Sequence, residues 1–125
     1  MERPGMPHRQ AREVGDRGEA LAVAHLTARG VRILDRNWRC AQGELDIVGL
    51  DGEALVFYEV KTRRSARFGH PAEAVTPAKA ARLRRLAGLW LRAHSHPCRD
   101  LRIDVMALSL GRAGSYEVQH LRGVA

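Results

Sequence analysis

The stretch from Gly43 to Arg63, GELDIVGLDGEALVFYEVKTR, decides how this chain folds. Two apolar runs rich in β-branched residues flank Asp51-Gly52, a dipeptide suited to a two-residue turn, and this predicts a β-hairpin. Four residues interrupt the runs: Glu44, Asp46, Glu59 and Lys61. With Asp51-Gly52 as the turn, Leu50 faces Glu53, Val48 faces Leu55, Asp46 faces Phe57 and Glu44 faces Glu59. Side chains alternate with period two, so Glu44, Asp46, Val48 and Leu50 share a face with Leu55, Phe57, Glu59 and Lys61. Asp46 and Glu59 become diagonal neighbours, about 7–8 Å apart at the backbone and closer at their tips.

Two carboxylates so placed can share a divalent cation. A hard cation such as Mg²⁺ takes one or two carboxylates, keeps several waters and accepts a further oxygen from a phosphate. Phosphodiester hydrolysis needs that polarisation of the phosphate and activation of water. Lys61 reaches the same space, where its ammonium can orient the water or neutralise the phosphate. The residues alone leave a second reading open, an ion-paired or solvated patch. The opposite face carries Leu45, Ile47, Val56, Tyr58 and Val60, while Val48, Leu55 and Phe57 are apolar on the acidic face. A hairpin apolar on both sides is expected to be covered on both sides. Charges there need partners, because an unpaired buried carboxylate is costly.

Outward from the hairpin, Ala11 to Arg29 has helical periodicity, with Val14, Gly18, Leu21, Ala22, His25 and Ala28 on one side and Glu19 on the flank. Gly30 is placed to stop that helix. Residues 1–10 read as a flexible lead, and 11–125 as a single domain. Val31 to Arg39 reads as a strand. The segment SARFGHPAEAV (65–75) reads as a loop that could be mobile. Thr76-Pro77 opens a second helix with a hydroxyl cap and a proline at its first position. Its core stripe is Ala80, Leu83, Leu86, Ala87 and Trp90, and its arginines lie on the flanks and the outside. Leu101 to Leu108 and Tyr116 to Leu121 read as two further strands. The order is α-β-β-β-α-β-β, an α/β fold with helices packed on a mixed sheet.

Twenty-one Lys and Arg against fourteen Asp and Glu leave a formal charge of +7. Such a surface attracts polyanions, with nucleic acid the first candidate. No apolar stretch approaches the roughly 20 residues that span a bilayer, and MERPGMPHRQ lacks the apolar core of a signal peptide. A cytoplasmic protein without membrane partners is expected, with Cys40 and Cys98 as free thiols. No phosphate-cradling glycine loop is present, so no nucleotide cofactor is expected. HSHPC (94–98) with Cys40 offers zinc ligands at an unfamiliar spacing, and Pro97 favours a plain helix-ending loop. Asp104, inside an apolar strand, is expected to partner an arginine, with a fourth metal ligand as the alternative. Trp38 and Trp90 fall on core positions.

Asp46 followed thirteen residues later by Glu59-Val60-Lys61 resembles the PD-(D/E)XK nuclease superfamily. More closely, the chain is similar to the YraN-like family of small bacterial proteins through GDRGEALA (15–22), RNWRC (36–40), GELDIV (43–48), LVFYEVKTR (55–63), EAVTPAKAARL (73–83) and RIDVMAL (102–108). The resemblance implies a restriction-endonuclease-like core similar to archaeal Holliday-junction resolvases. It also implies a Mg²⁺-dependent DNA endonuclease, with Mn²⁺ able to substitute, and branched DNA as one possible substrate. Asp46 and Glu59 match its metal carboxylates, Lys61 its catalytic lysine, and Glu19 the helix glutamate that joins the metal. Leu45 stands where the superfamily's proline would be. Thr62, Arg63 and Lys79 are candidate DNA contacts, with solvated side chains as the alternative. Glu44 is either a supporting ligand or a partner of Arg39 or Arg63. Junction resolution would need two sites, hence a homodimer by analogy. A nucleic-acid-binding protein that keeps the fold without hydrolysis is the alternative function.

Overall fold

In the computed structural model, which describes residues 8–64 and 75–125, the apolar patterns become two helices on a five-stranded sheet. Helix α1 (His8–Ala28) begins three residues before the expected start, so His8 to Gln10 are helical and not part of a lead. Residues 1–7 and most of the expected loop, 65–74, lie outside the described residues. Helix α1 ends where Gly30 adopts φ 89°. Val31 N–H donates to Leu26 O and Gly30 N–H to Thr27 O, each at 3.0 Å. These are the two bonds of a Schellman stop, and Val31 and Leu26 bury together beside it.

Strand β1 (Arg32–Cys40) pairs antiparallel with β2 (Gly43–Asp51), with an irregularity between Ile33 and Asp35. Strand β2 pairs antiparallel with β3 (Ala54–Arg63), which closes the expected hairpin. Its turn is Gly52-Glu53, one residue later than expected, because Asp51 pairs with Ala54. Among the described residues Gly52 has φ 63°, while neither Asp51 nor Glu53 is among the positive-φ residues. Glycine thus takes the first central position, as in a II′ turn, whereas a turn centred on Asp51-Gly52 would need positive φ at Asp51 as well. The register moves by two: Leu50 faces Leu55 and Val48 faces Phe57.

Helix α2 (Pro77–His94) carries the chain over to β4 (Asp100–Leu110), which lies parallel to β3 along its whole length. A parallel neighbour requires such a crossover. Thr76 caps α2 as expected, its hydroxyl accepting the Lys79 N–H at 3.1 Å. A single 3₁₀ turn at Arg112–Gly114 leads to β5 (Tyr116–Leu121), antiparallel to β4. The sheet order is β1-β2-β3-β4-β5, and the predicted order of elements holds throughout.

The hairpin is covered on both faces. Ala22 and Leu26 of α1 pack on Ile47, Val56, Tyr58 and Met106. Leu83, Leu86, Ala87 and Trp90 of α2, four of the five residues of the predicted stripe, pack on Val48, Leu55, Phe57 and Ile103, and the fifth, Ala80, is buried too. Burying each large apolar side chain here contributes about 1.5–3 kcal/mol. The indole N–H of Trp90 donates to Asp35 Oδ2 at 2.9 Å, so its polar end is satisfied. No helix among the described residues is long and apolar enough to cross a membrane.

Candidate active site

The β2–β3 ladder stops at Ile47 and Tyr58, yet β2 stays paired to β1 down to Gly43. The sheet therefore splits just where Asp46 and Glu59 would be the next opposed pair. Across the split, Asp46 Oδ2 accepts the Val60 N–H at 2.8 Å, a carboxylate replacing the missing ladder carbonyl. Leu45 turns to the α2 core, and Asp46 lines a cleft of about 290 Å³ on the α1 flank with Glu19, Glu44, Val60 and Thr62. Two expectations need correction here. The shifted turn removes the diagonal relation of Asp46 and Glu59, and the splitting of the strands takes Asp46 off the face that carries Glu59 and Lys61.

Glu59 and Lys61 stay on the α2 side, where they line a small cavity with Lys79 and Leu83. Lys61 Nζ stands 3.9 Å from Glu59 Oε1. Lys79, from the first turn of α2, meets Lys61, and this crowding of ammonium groups, with a smaller part from burial, lowers the Lys79 pKa. Glu19 reaches the cleft from α1, its carboxylate 3.5 Å from Arg36 Nη2. Glu44 pairs with its cross-strand partner Arg39 at 3.2 Å and lines the cleft with Asp46.

Asp46 is the electrostatic centre of the arrangement. Its pKa is pushed up to about 7, first by burial and then by Glu59, Glu19 and Glu44, with the Val60 hydrogen bond pulling the other way. The neighbouring carboxylates at this split each add to the cost of its charge, and a cation would relieve all of them. Among the described residues no three Asp, Glu, His or Cys side chains close a metal cage by themselves. The oxygen-only donor set fits Mg²⁺, which uses one or two protein carboxylates and completes its shell with water and phosphate.

Thr62 lines the cleft beneath α1. A Cβ built on Gly18 would overlap the Thr62 side chain, so glycine is what lets the helix carrying Glu19 settle so close to β3. Arg63 Nε donates to Ser109 Oγ at 3.4 Å. Asp104, fully buried, partners Arg102 as expected, with Oδ1 2.9 Å from its Nε. It also accepts from Gly123 N–H at 3.0 Å and meets His120 Nε2 at 2.7 Å. These hydrogen bonds hold the Asp104 pKa below its ordinary value despite burial. His94 stacks on Trp90 with ring centroids 4.2 Å apart.

Sequence reasoning missed Arg36, Asp16 and Asn37 at the cleft. Strand alternation could not place the last of these, because Asn37 takes φ 53° and breaks the alternation of β1. The Val60 N–H has no side-chain signal at all.

Residues 18–108 match the model of the uncharacterised protein family UPF0102. A UPF0102 protein of Beutenbergia cavernae is 57% identical over 111 residues, covering 89% of this chain and 94% of its own. One from Arthrobacter sp. is 57% identical over 113 residues, with the same coverage. One from Mycolicibacterium vanbaalenii is 53% identical over 113 residues, covering 90% of this chain and 93% of its own. With its family match spanning the second half of α1, the split hairpin and all of α2, this chain belongs to the UPF0102 family.

Proposed function

We propose that the protein is a Mg²⁺-dependent nuclease that hydrolyses phosphodiester bonds in DNA. The observation that supports this best is Asp46, a carboxyl raised to about 7 at a break in the sheet, surrounded by Glu19, Glu44 and Glu59. Asp46 and Glu19 would hold the cation from the cleft, with Glu59, whose charge acts on Asp46 across the split, as the third ligand. When bound, Mg²⁺ supplies polarisation of the phosphate and activation of a water. The Val60 N–H fixes one oxygen of Asp46 and leaves the other for the site. On the α2 side, Lys61 and Lys79 crowd together, and a phosphate seated between them would relieve their repulsion. Lys61 then offsets charge that builds on the phosphate in the transition state. The +7 chain draws the substrate in. Resemblance to junction resolvases makes branched DNA the first substrate to try, with a homodimer supplying two sites.

The test incubates purified protein with Mg²⁺ or Mn²⁺ and linear, single-stranded or four-way-junction DNA, beside Asp46→Ala and Lys61→Ala. Cleavage that both substitutions abolish is the expected result. Cleavage that survives both would remove these residues from the chemistry. Binding to every substrate without cleavage would instead support a non-hydrolytic nucleic-acid-binding protein on the same fold.

A further inference from the structure

A second, larger cavity of about 500 Å³ opens between α1, the end of β3 and the β4–β5 turn. Arg17, Arg64 and Arg112 line it with a single carboxylate, Glu13, over an apolar floor of Val14 and Leu110. Among the described residues none of the three guanidinium groups makes a salt bridge, although Arg36, Arg39 and Arg102 all do. Three arginines line one concavity with one carboxylate, which leaves an excess of positive charge there. Arg17 Nη2 lies beside Gly114 of the turn.

Guanidinium is the side chain best suited to phosphate, because its planar fork donates two parallel hydrogen bonds to a pair of oxygens. We infer that this cavity is a phosphate-binding pocket for a nucleic-acid strand, set beside the acidic cleft and separate from it. At about 100° per residue, Glu13, Val14 and Arg17 fall on one flank of α1. Asp16 and Glu19, which line the acidic cleft, fall on the other. Strand β3 runs beneath both, with Thr62 in the cleft and Arg64, one residue past its end, in the pocket. Two residues of extended chain span about 7 Å, close to the separation of successive phosphates along one strand. The pocket therefore takes the phosphate next to the one at the carboxylates, and the apolar floor accommodates the sugar or base edge beside it.

This inference rests on the nucleic-acid reading but not on hydrolysis, so it is tested by binding without divalent metal. Fluorescence anisotropy with labelled single-stranded and duplex DNA, across a salt series, compares the full chain with Arg17→Ala/Arg64→Ala/Arg112→Ala. The control is Arg84→Ala/Arg85→Ala/Arg92→Ala, which removes the same charge from exposed positions of α2. The pocket variant is expected to lose affinity about 10–100-fold and to flatten the slope of log K against log salt by about 2–3, while the control changes far less. Equal losses in both variants would reduce the pocket to net charge and overturn the inference, as would unchanged binding in the pocket variant. A mononucleotide whose binding needs the three arginines, with DNA binding untouched, would overturn the strand in favour of a free nucleotide. Failure of the unaltered protein to bind DNA at all would defeat the nucleic-acid reading itself, and this inference with it.

Discussion

Replacing Asp46 by Asn tests whether the split in the sheet stores electrostatic strain. The carboxamide oxygen can still accept the Val60 N–H, so the substitution removes charge and little else. Folding raises the Asp46 pKa from 3.8 to about 7. A raised pKa stabilises the fold only while the acid is protonated, so its contribution is present below about pH 4 and is lost as pH climbs through about 7. At about 1.4 kcal/mol per pKa unit the loss approaches 4 kcal/mol, and solvent at the cleft mouth reduces it toward about 2 kcal/mol. Asp46→Asn escapes that loss. Without divalent metal at pH 8 it should be more stable than the parent by about 2–4 kcal/mol, or about 8–15 °C in Tm for a domain of this length. Near pH 4 the two should melt together. Circular dichroism melts from pH 4 to pH 8.5 in EDTA measure the difference. A variant destabilised by the same amount at every pH would refute the reasoning, because the carboxylate would then be a structural acceptor and not a strained charge.

Mg²⁺ should narrow the gap. At pH 8, ion at ten times its Kd stabilises the parent by about 1.4 kcal/mol, and Asp46→Asn should lose most of that gain in the same melts. Gly18→Ala drives a Cβ into Thr62 and should cost about 1–3 kcal/mol by denaturant unfolding. Gly88→Ala, which meets nothing within 4 Å, should instead stabilise α2 by about 0.5–1 kcal/mol; shifts of the same sign would undo this account of how α1 seats. Asp104→Ala strands the Gly123 N–H, leaves Arg102 with Asp51 alone and should destabilise by about 1–3 kcal/mol. Thr76→Ala should cost about 1 kcal/mol through loss of the α2 cap.

Local patterns were enough for most of the architecture. The stripe from Ala80 to Trp90, the Thr76 cap and the Gly30 stop all depend on residues within a turn or two of one another, so they can be read directly from the chain. The two-sided apolar character of the hairpin likewise foretold helices on both faces. Asp104 as an arginine's partner followed from its setting in an apolar strand.

The candidate site was legible in its residue types but not in its geometry. Composition and spacing singled out Asp46, Glu59 and Lys61, and family resemblance added Glu19. The turn position hinged on which residue would accept a positive φ, and that choice shifted the whole register by two. Where β2 leaves β3 depends on β1 holding β2 and β4 holding β3, contacts far apart in sequence, so alternation along the hairpin could not show that Asp46 would leave the face of Glu59. Periodicity along the chain therefore determined which side chains are apolar, capped or charged. Only long-range pairing and helix packing decided that the carboxylates would gather at a break in the sheet, because burial and repulsion there act between residues that no local spacing relates.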